Sequence, residues 1–159
     1  MNRLFVLACA ILLCIGCAEN KKQPTTATPP AAPPPPTQLV AMNYPSLPMD
    51  IVNLIGTQGD HIDVLFYNMP ISMSRDGNAD VQVMLSQISS QAPVSVAPCQ
   101  AIGRIFFQGK GETFIEADLF LGENCNYYLF YKDNKPAYAN LLLPDGIKLY
   151  DNLTRQYRK

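Results

Sequence analysis

Hydrophobic and polar residues follow a helical period in three parts of the chain. These parts begin after Ser46, Asn78 and Asp145, which are residue types that cap helices. Apolar residues then recur three or four positions apart, which places them on one side of a helix. The stripes are Ile51, Leu54 and Ile55; Val81, Met84, Leu85 and Ile88; and Ile147, Tyr150, Leu153 and Tyr157.

Between and after the first two helices, the pattern changes to that of β-strands. Residues 61–68 are rich in Val, Ile, Phe and Tyr, and similar runs cover 102–108, 112–121, 125–132 and 136–142. Short turns separate the last four runs, so these strands are expected to pair antiparallel. We therefore predict an α+β domain: an antiparallel β-meander of about four to five strands with helices on one face.

The turn at 109–111 predicts how the first two strands of the meander pair. A three-residue loop ending in Gly111 would place Arg104 opposite Glu116 and Phe106 opposite Phe114. One face would then be the core, with Ile105, Phe107, Ile115, Leu119, Leu121, Tyr127, Leu129 and Tyr131.

The opposite face of this predicted sheet mixes rings with charges, as recognition surfaces often do. We predict a binding surface made of Arg104, Phe106, Phe114, Glu116, Asp118, Tyr128, Phe130 and Tyr138. The alternative is a half-solvated face on which Arg104 and Glu116 form an ordinary ion pair. A helix packed over Phe114 and Phe130 would rule the predicted surface out.

The first seventeen residues have the organisation of an export signal. Arg3 precedes an apolar run over 4–15, which is shorter than the roughly twenty residues of a spanning helix. The run ends in Leu-Leu-Cys-Ile-Gly-Cys, which resembles the lipobox of bacterial lipoprotein precursors. The resemblance implies that residues 1–16 are a signal peptide and that Cys17 receives the lipid. An ordinary secretory signal or a short buried helix are the alternatives.

Residues 17–37 are expected to be a lipidated, flexible tether, because seven of the fourteen prolines fall within 24–36. The single globular domain would then cover 38–159. The resemblance implies a location in the cell envelope, with the bilayer as partner through the Cys17 lipid. Ala18, where Asp would mark inner-membrane retention, favours the outer membrane if the cell is Gram-negative.

The five cysteines are accounted for by this division of the chain. Cys9 and Cys14 belong to the signal peptide and Cys17 to the lipid, which leaves Cys99 and Cys125 as a pair in an oxidising compartment. We predict a disulfide between them. In an unbroken ladder the two would lie two strands apart, so Cys99 is expected to leave its strand and cross over Leu121.

Composition narrows the possible functions. The net charge of −1 disfavours nucleic acid as a partner, and His61 is the single histidine, too few for a multi-histidine metal site. No P-loop or dinucleotide glycine pattern indicates a cofactor. We expect a binding or assembly module for an envelope protein or small ligand. The alternative is a small envelope hydrolase that uses carboxylates such as Glu116 and Asp118, or His61 beside Asp63.

Overall fold

A computed structural model describes residues 43–94 and 99–157 of the chain. The predicted signal peptide 1–16, the predicted lipid-attachment residue Cys17 and the predicted tether 17–37 lie outside these residues. The described residues form three helices and six strands. They are α1 Met49–Gln58, β1 His61–Phe66, β2 Ser72–Asp76, α2 Asn78–Leu85, β3 Ala101–Gly109, β4 Glu112–Phe120, β5 Tyr127–Lys132, β6 Lys135–Leu141 and α3 Pro144–Thr154.

The six strands form one antiparallel sheet in the order β2-β1-β3-β4-β5-β6. The predicted α+β class and antiparallel meander are therefore confirmed, but the count of four to five strands is wrong. The missing strand is β2, a short edge strand in which Met73 is the one buried residue. Its polar sequence resembles a loop because an edge strand needs little apolar surface. Strand β1 pairs with both β2 and β3.

The helices pack against one face of the sheet. Ile55 of α1, Val81 of α2 and Tyr150 of α3 belong to a single buried cluster with Ile105 and Phe107 of β3. Burying side chains of this size contributes roughly 1.5–3 kcal/mol each to folding. Among the described residues, no helix is both long and apolar enough to cross a membrane.

The helix starts differ from the predicted capping residues. Helix α1 begins after Ser46, at Met49, and Asp145 is inside the first turn of α3. Asn78 is the first residue of α2, where its side-chain amide donates hydrogen bonds to the carbonyl oxygens of Gly56 and Gly59. The amide of Asn78 thus connects α2 to the end of α1 and does not cap its own helix.

The β3–β4 hairpin has a tighter turn than predicted. Gly109 pairs with Glu112, so the loop has two residues, Lys110 and Gly111, both with positive φ, of 56° and 80°. This is the conformation of a type I′ turn, whose twist suits a two-residue hairpin. A register shift after Phe107 then moves the remaining pairing by one more residue.

The predicted register of β3 and β4 is consequently wrong by two residues. Arg104 lies opposite Asp118 and Phe106 lies opposite Glu116. A shift of two residues keeps each side chain on its predicted face, because side chains alternate with a period of two. The predicted core positions Ile105, Phe107, Ile115 and Leu119 of these strands are therefore buried, as is Leu121 directly after β4.

The β4–β5 pairing differs from the prediction by one residue, and this shift reverses the faces of β5. Phe120 pairs with Tyr127, whereas Leu121 with Cys125 was predicted. The loop is longer because Cys125 and Asn126 stay outside the ladder. The backbone N–H of Cys125 donates to the carbonyl of Gly122 at 3.3 Å, within that loop.

The predicted disulfide between Cys99 and Cys125 is present, with 6.3 Å between the Cα atoms. Cys99 precedes β3 and Cys125 precedes β5, so both cysteines lie beyond the strand ends. The bond thereby crosses the end of β4, which lies between those two strands. Both cysteines pack against a second buried cluster, which contains Phe120, Tyr127, Leu129 and Ala139.

The outer edge of β6 is covered by other parts of the chain. The N–H of Ala139 donates to Pro45 and that of Leu141 donates to Gln91. Asn140 accepts a 2.8 Å bond from the Leu47 N–H and donates a 2.9 Å bond to the Ser89 carbonyl. The first two bonds satisfy backbone groups of an edge strand, and all four cover it against pairing with other chains.

We expect loss of the disulfide to destabilise the domain by about 2–4 kcal/mol, because a separation of 26 residues restricts the unfolded chain substantially. The change is the double variant Cys99→Ser/Cys125→Ser. Urea denaturation of the purified protein measures the free energy of unfolding. Wild-type protein treated with reductant should match the variant, and an unchanged midpoint in both would contradict the prediction.

Candidate functional site

The face of the sheet opposite the helices carries a connected group of polar and aromatic residues. We call this group of residues the open face. Its members lie in β1, β3, β4 and β5 or directly after β1. Its residues are Leu65, Tyr67, Arg104, Phe106, Glu116, Asp118 and Tyr131. Leu65 and Tyr67 are 50% and 38% exposed, which is high for side chains of their size on a sheet.

Asp118 is the hub of the open face. One carboxylate oxygen accepts hydrogen bonds from the Arg104 Nε–H and from the Tyr67 hydroxyl, both at 2.9 Å. The other oxygen accepts a 2.7 Å bond from the Tyr131 hydroxyl. Arg104 also donates from Nη1 to Glu116 at 3.2 Å. The Arg104–Glu116 ion pair expected under the alternative is thus present, as a diagonal contact beside the shorter one between Arg104 and Asp118.

The ring of Tyr131 contacts Arg104 in addition to the hydrogen bond that its hydroxyl donates to Asp118. The Arg104 guanidinium lies 4.7 Å from the centre of the Tyr131 ring, within the range of a cation–π contact. Burial, together with the hydrogen bond to Asp118, raises the pKa of Tyr131 to about 12. Tyr131 therefore stays a hydrogen-bond donor throughout the physiological pH range.

The charge state of Asp118 follows from two opposing effects. Burial alone would raise the pKa of this carboxyl, since burial disfavours the charged form. The hydrogen bonds from Arg104, Tyr131 and Tyr67 outweigh burial, and the pKa of Asp118 is lowered. The carboxylate is therefore ionised, and both of its oxygens accept hydrogen bonds. This suits a structural role better than that of a proton donor.

The structure brings together four of the eight residues that were predicted to form the binding surface. Arg104, Phe106, Glu116 and Asp118 all lie on the open face, in adjacent positions of β3 and β4. Arg104, Phe106 and Glu116 are half-buried, and Asp118 is 9% exposed. The charged part of the predicted surface is therefore contiguous.

The other four predicted residues lie on the helix side, and their assignment is wrong. Tyr128 and Phe130 are buried in the helix-side core, and Tyr138 packs against it. The one-residue shift between β4 and β5 moved these rings to that face. Phe114 is skipped by the ladder at the β3–β4 register shift, and its ring packs beside Gly109 against the same core. The predicted surface of eight residues on one face is therefore not formed.

Three residues of the open face were missed by the sequence reasoning. Tyr131 was placed in the core together with Tyr127 and Leu129, again because of the β4–β5 shift. Leu65 and Tyr67 were not assigned because the neighbours of β1 were unknown. His61 and Asp63 are polar and alternate with buried residues of β1. This alternation was the available signal that Leu65, two residues after Asp63, lies on the same solvent-facing side.

His61 and its neighbours form a second polar group at the far end of this sheet face. The Nδ1 atom lies 2.6 Å from Asp76 and the Nε2 atom 3.1 Å from Asp63. Ser74 donates a 2.5 Å hydrogen bond to Asp63, and Gln108 donates one of 3.1 Å to the same carboxylate. The hydroxyl of Ser74 thus points to an aspartate and not to the histidine, so no nucleophile–base pair is formed.

The geometry gives no support to a hydrolytic site that combines His61 with Asp118. The two residues are two strands and four ladder positions apart, which corresponds to about 16 Å. Two cavities of about 430 and 320 Å³ lie beside the helices and share Val52 and Leu85 in their walls. Neither cavity reaches His61, Glu116 or Asp118.

The described part of the chain contains no cluster of side chains suited to a metal ion. Within residues 43–94 and 99–157, no three His, Cys, Asp or Glu side chains are arranged to hold a metal. Around His61 the reason is clear, since Asp63 and Asp76 approach different nitrogens of the ring.

Comparisons with known proteins assign no relative to this chain. It matches no protein-family model, no curated protein and no solved structure. The functional argument therefore depends on the contacts described above.

We expect Asp118→Ala to destabilise the domain by about 2–3 kcal/mol, because Arg104 and two tyrosine hydroxyls lose a charged partner. Glu116→Ala, on the same face, removes one bond of 3.2 Å and should cost less than about 1 kcal/mol. Urea denaturation at neutral pH compares the two variants. Equal losses would show that Asp118 is not the hub.

The lowered pKa of Asp118 also predicts an acid dependence of stability. Its contribution is present above the unfolded-state pKa of the carboxyl and is lost as the pH falls through the lower folded-state value. The difference in unfolding free energy between wild type and Asp118→Asn should therefore shrink below about pH 4. A difference that stays constant from pH 7 to pH 2 would contradict this account.

Proposed function

We propose that this protein is a lipoprotein of the bacterial cell envelope whose domain binds a partner protein through the open face. The anchor is supported by the lipobox-like sequence that ends at Cys17. Two or three acyl chains on one cysteine would hold a protein stably in a bilayer. Ala18 after the cysteine favours the outer membrane of a Gram-negative cell.

The proline-rich segment after Cys17 supports a spacer between the lipid and the domain. Proline and threonine or alanine dominate 24–37, a composition without the apolar side chains needed for a core. At about 3.1 Å per residue in an extended polyproline conformation, twenty residues would span roughly 60 Å. A domain on such a spacer can meet partners at a distance from the membrane surface.

The observation that carries the binding proposal is the uneven covering of the two faces of the sheet. The helices cover one face, whereas the opposite face is buried around Phe120 and Tyr127 but exposed at β1. All three helices contribute to the cluster on one face. On the opposite face, Leu65 and Tyr67 stay exposed beside the hydrogen-bonded charges of Arg104 and Asp118. Rigid aromatic and arginine side chains surrounded by polar groups are typical of interaction surfaces. The network around Asp118 fixes Tyr67, Arg104 and Tyr131, so little side-chain entropy would be lost on binding.

A protein partner fits this face better than a small molecule does. Small ligands occupy concave pockets that enclose most of their surface. The two cavities described above lie on the helix side, away from the open face. A broad face with one exposed leucine and several satisfied charges instead suits a second protein surface. The hydrolase alternative is favoured by no specific contact.

Replacement of Cys17 by serine tests the anchor. Serine cannot form the thioether to the lipid. In cell fractionation, the Cys17→Ser protein should therefore appear in the soluble fraction and no longer with the envelope membranes. Cys14→Ser, three residues earlier, is the matched control and should stay with the membranes. Membrane retention of Cys17→Ser would refute lipid attachment at this residue.

A photo-crosslinking amino acid placed at Leu65 tests the open face. Val83 on α2 is the matched control because it is similarly exposed, at 54% compared with 50% for Leu65, but lies on the helix side. In cells, we expect discrete crosslinked products from position 65 and few from position 83. Adding Phe106→Ala should reduce the crosslinks at 65 roughly fivefold, the effect of about 1 kcal/mol at an interface. Identical products from both positions would refute the proposed surface.

A further inference from the structure

The edge strand β2 is held to β1 by a histidine that touches two carboxylates. His61 and Asp76 are directly opposite in the β1–β2 ladder, and Asp63 is two residues from His61 on the same side of the sheet. The two ring nitrogens of His61 lie 2.6 Å from Asp76 and 3.1 Å from Asp63. The ring is therefore placed between two acceptors.

This arrangement requires a particular protonation state. A neutral imidazole has one N–H and one acceptor nitrogen, whereas an imidazolium has two N–H donors. An ionised carboxylate only accepts, so both contacts of His61 are hydrogen bonds only when the ring is charged. In the neutral ring, one nitrogen lone pair would face a carboxylate oxygen and repel it.

We propose that His61 is a pH-dependent fastener of the β1–β2 edge, which holds the end of β2 as an imidazolium and releases Asp76 when it loses its proton. This inference concerns a conformational change and does not depend on the proposed binding function. It assigns a role to the single histidine of the chain.

The contacts of the two carboxylates indicate which one is released. Asp63 keeps hydrogen bonds from Ser74 and Gln108 when the histidine contact is lost. The Asp76 side chain is 86% exposed, and the ring of His61 is its hydrogen-bond partner in the ladder. Asp76 can therefore turn into water at little cost, whereas Asp63 remains in place.

The surroundings of His61 contain few other charges. Strand β3 places the neutral Gln108 opposite it, and the β3–β4 turn brings Lys110, whose backbone N–H is bonded to Asp60. Arg75 pairs with Ile62 and points to the other side of the sheet. The hydrogen bond with Asp76 has the largest effect and raises the pKa of His61; burial opposes it, and the hydrogen bond with Asp63 adds to the rise.

The position of β2 makes its end sensitive to one contact. It is an edge strand of five residues with a single buried side chain, Met73. Beyond Asp76 the chain turns at Gly77, whose N–H bonds to the Asp60 carbonyl at 2.7 Å. Short exposed elements of this kind open at low free energy, so a small electrostatic change shifts their population.

The sign of the pH dependence follows from the direction of the shift. A raised folded-state pKa means that the fastener stabilises β2 fully below the unfolded value near 6.5. Its contribution is lost as the pH rises through the higher folded value. Protection of β2 against amide hydrogen exchange should therefore decrease across the titration of His61, while protection of β4 should not.

The test uses the full chain purified in detergent. Because there is one histidine, a single imidazole signal in NMR follows the titration without assignment ambiguity. Amide exchange of 72–76, expressed as protection factors to remove its intrinsic pH dependence, is measured below and above the midpoint. We expect a midpoint above 6.5 and a roughly twofold to fivefold loss of protection, as for an exposed ion pair.

Two variants separate the fastener from other causes. Asp76→Asn should lower the midpoint of His61 and remove most of the pH dependence in β2, whereas Asp145→Asn, with a side chain 85% exposed, should change neither. His61→Gln should give low, pH-independent protection of 72–76. A midpoint at or below 6.5, constant protection in wild type, or pH dependence that persists in His61→Gln would each overturn the proposal.

Discussion

The pairing of Phe120 with Tyr127 determines which side of the sheet each ring of β5 occupies. With this register, Tyr128 and Phe130 enter the core below the helices, and the Tyr128 and Tyr150 hydroxyls form a buried 2.5 Å hydrogen bond. A shift of one residue would turn these rings to the other face and bring Tyr127, Leu129 and Tyr131 below the helices. Cys125, which is bonded to Cys99, lies outside the ladder in the loop that precedes β5.

The register places Tyr128 and Phe130 on the helix side and Tyr131 on the opposite side, where polar contacts stabilise the open face. Tyr131 stays on that face and reaches Asp118, which also binds Arg104 and Tyr67. A charge that is 9% exposed is tolerated there because its oxygens accept three hydrogen bonds and an arginine is adjacent. The result is a face whose polar groups are joined by hydrogen bonds and on which Leu65 and Tyr67 stay exposed.

The candidate site could be predicted from the sequence only in part, and the pattern of success has a physical cause. Arg104, Phe106, Glu116 and Asp118 were placed on one face correctly although the predicted pairing was wrong by two residues. An even error preserves the side of each residue in the regular part of the ladder, whereas the odd error between β4 and β5 misplaced Tyr128, Phe130 and Tyr138. Phe114 was misplaced by a local irregularity that no alternation pattern reveals. Turn length therefore limited the prediction more than strand identity did.

The sequence by itself determined the α+β class and most of the strands and helices, because periodicity is a local property of the chain. It also determined the pairing of Cys99 with Cys125, because that follows from the count of cysteines. Only the tertiary structure decided that β2 exists as a strand, that β1 lies between β2 and β3, and that His61 meets two carboxylates. These features depend on contacts between residues distant in the chain. A polar edge strand such as β2 gains its conformation from its neighbour, since its own residues bury too little apolar surface to specify it.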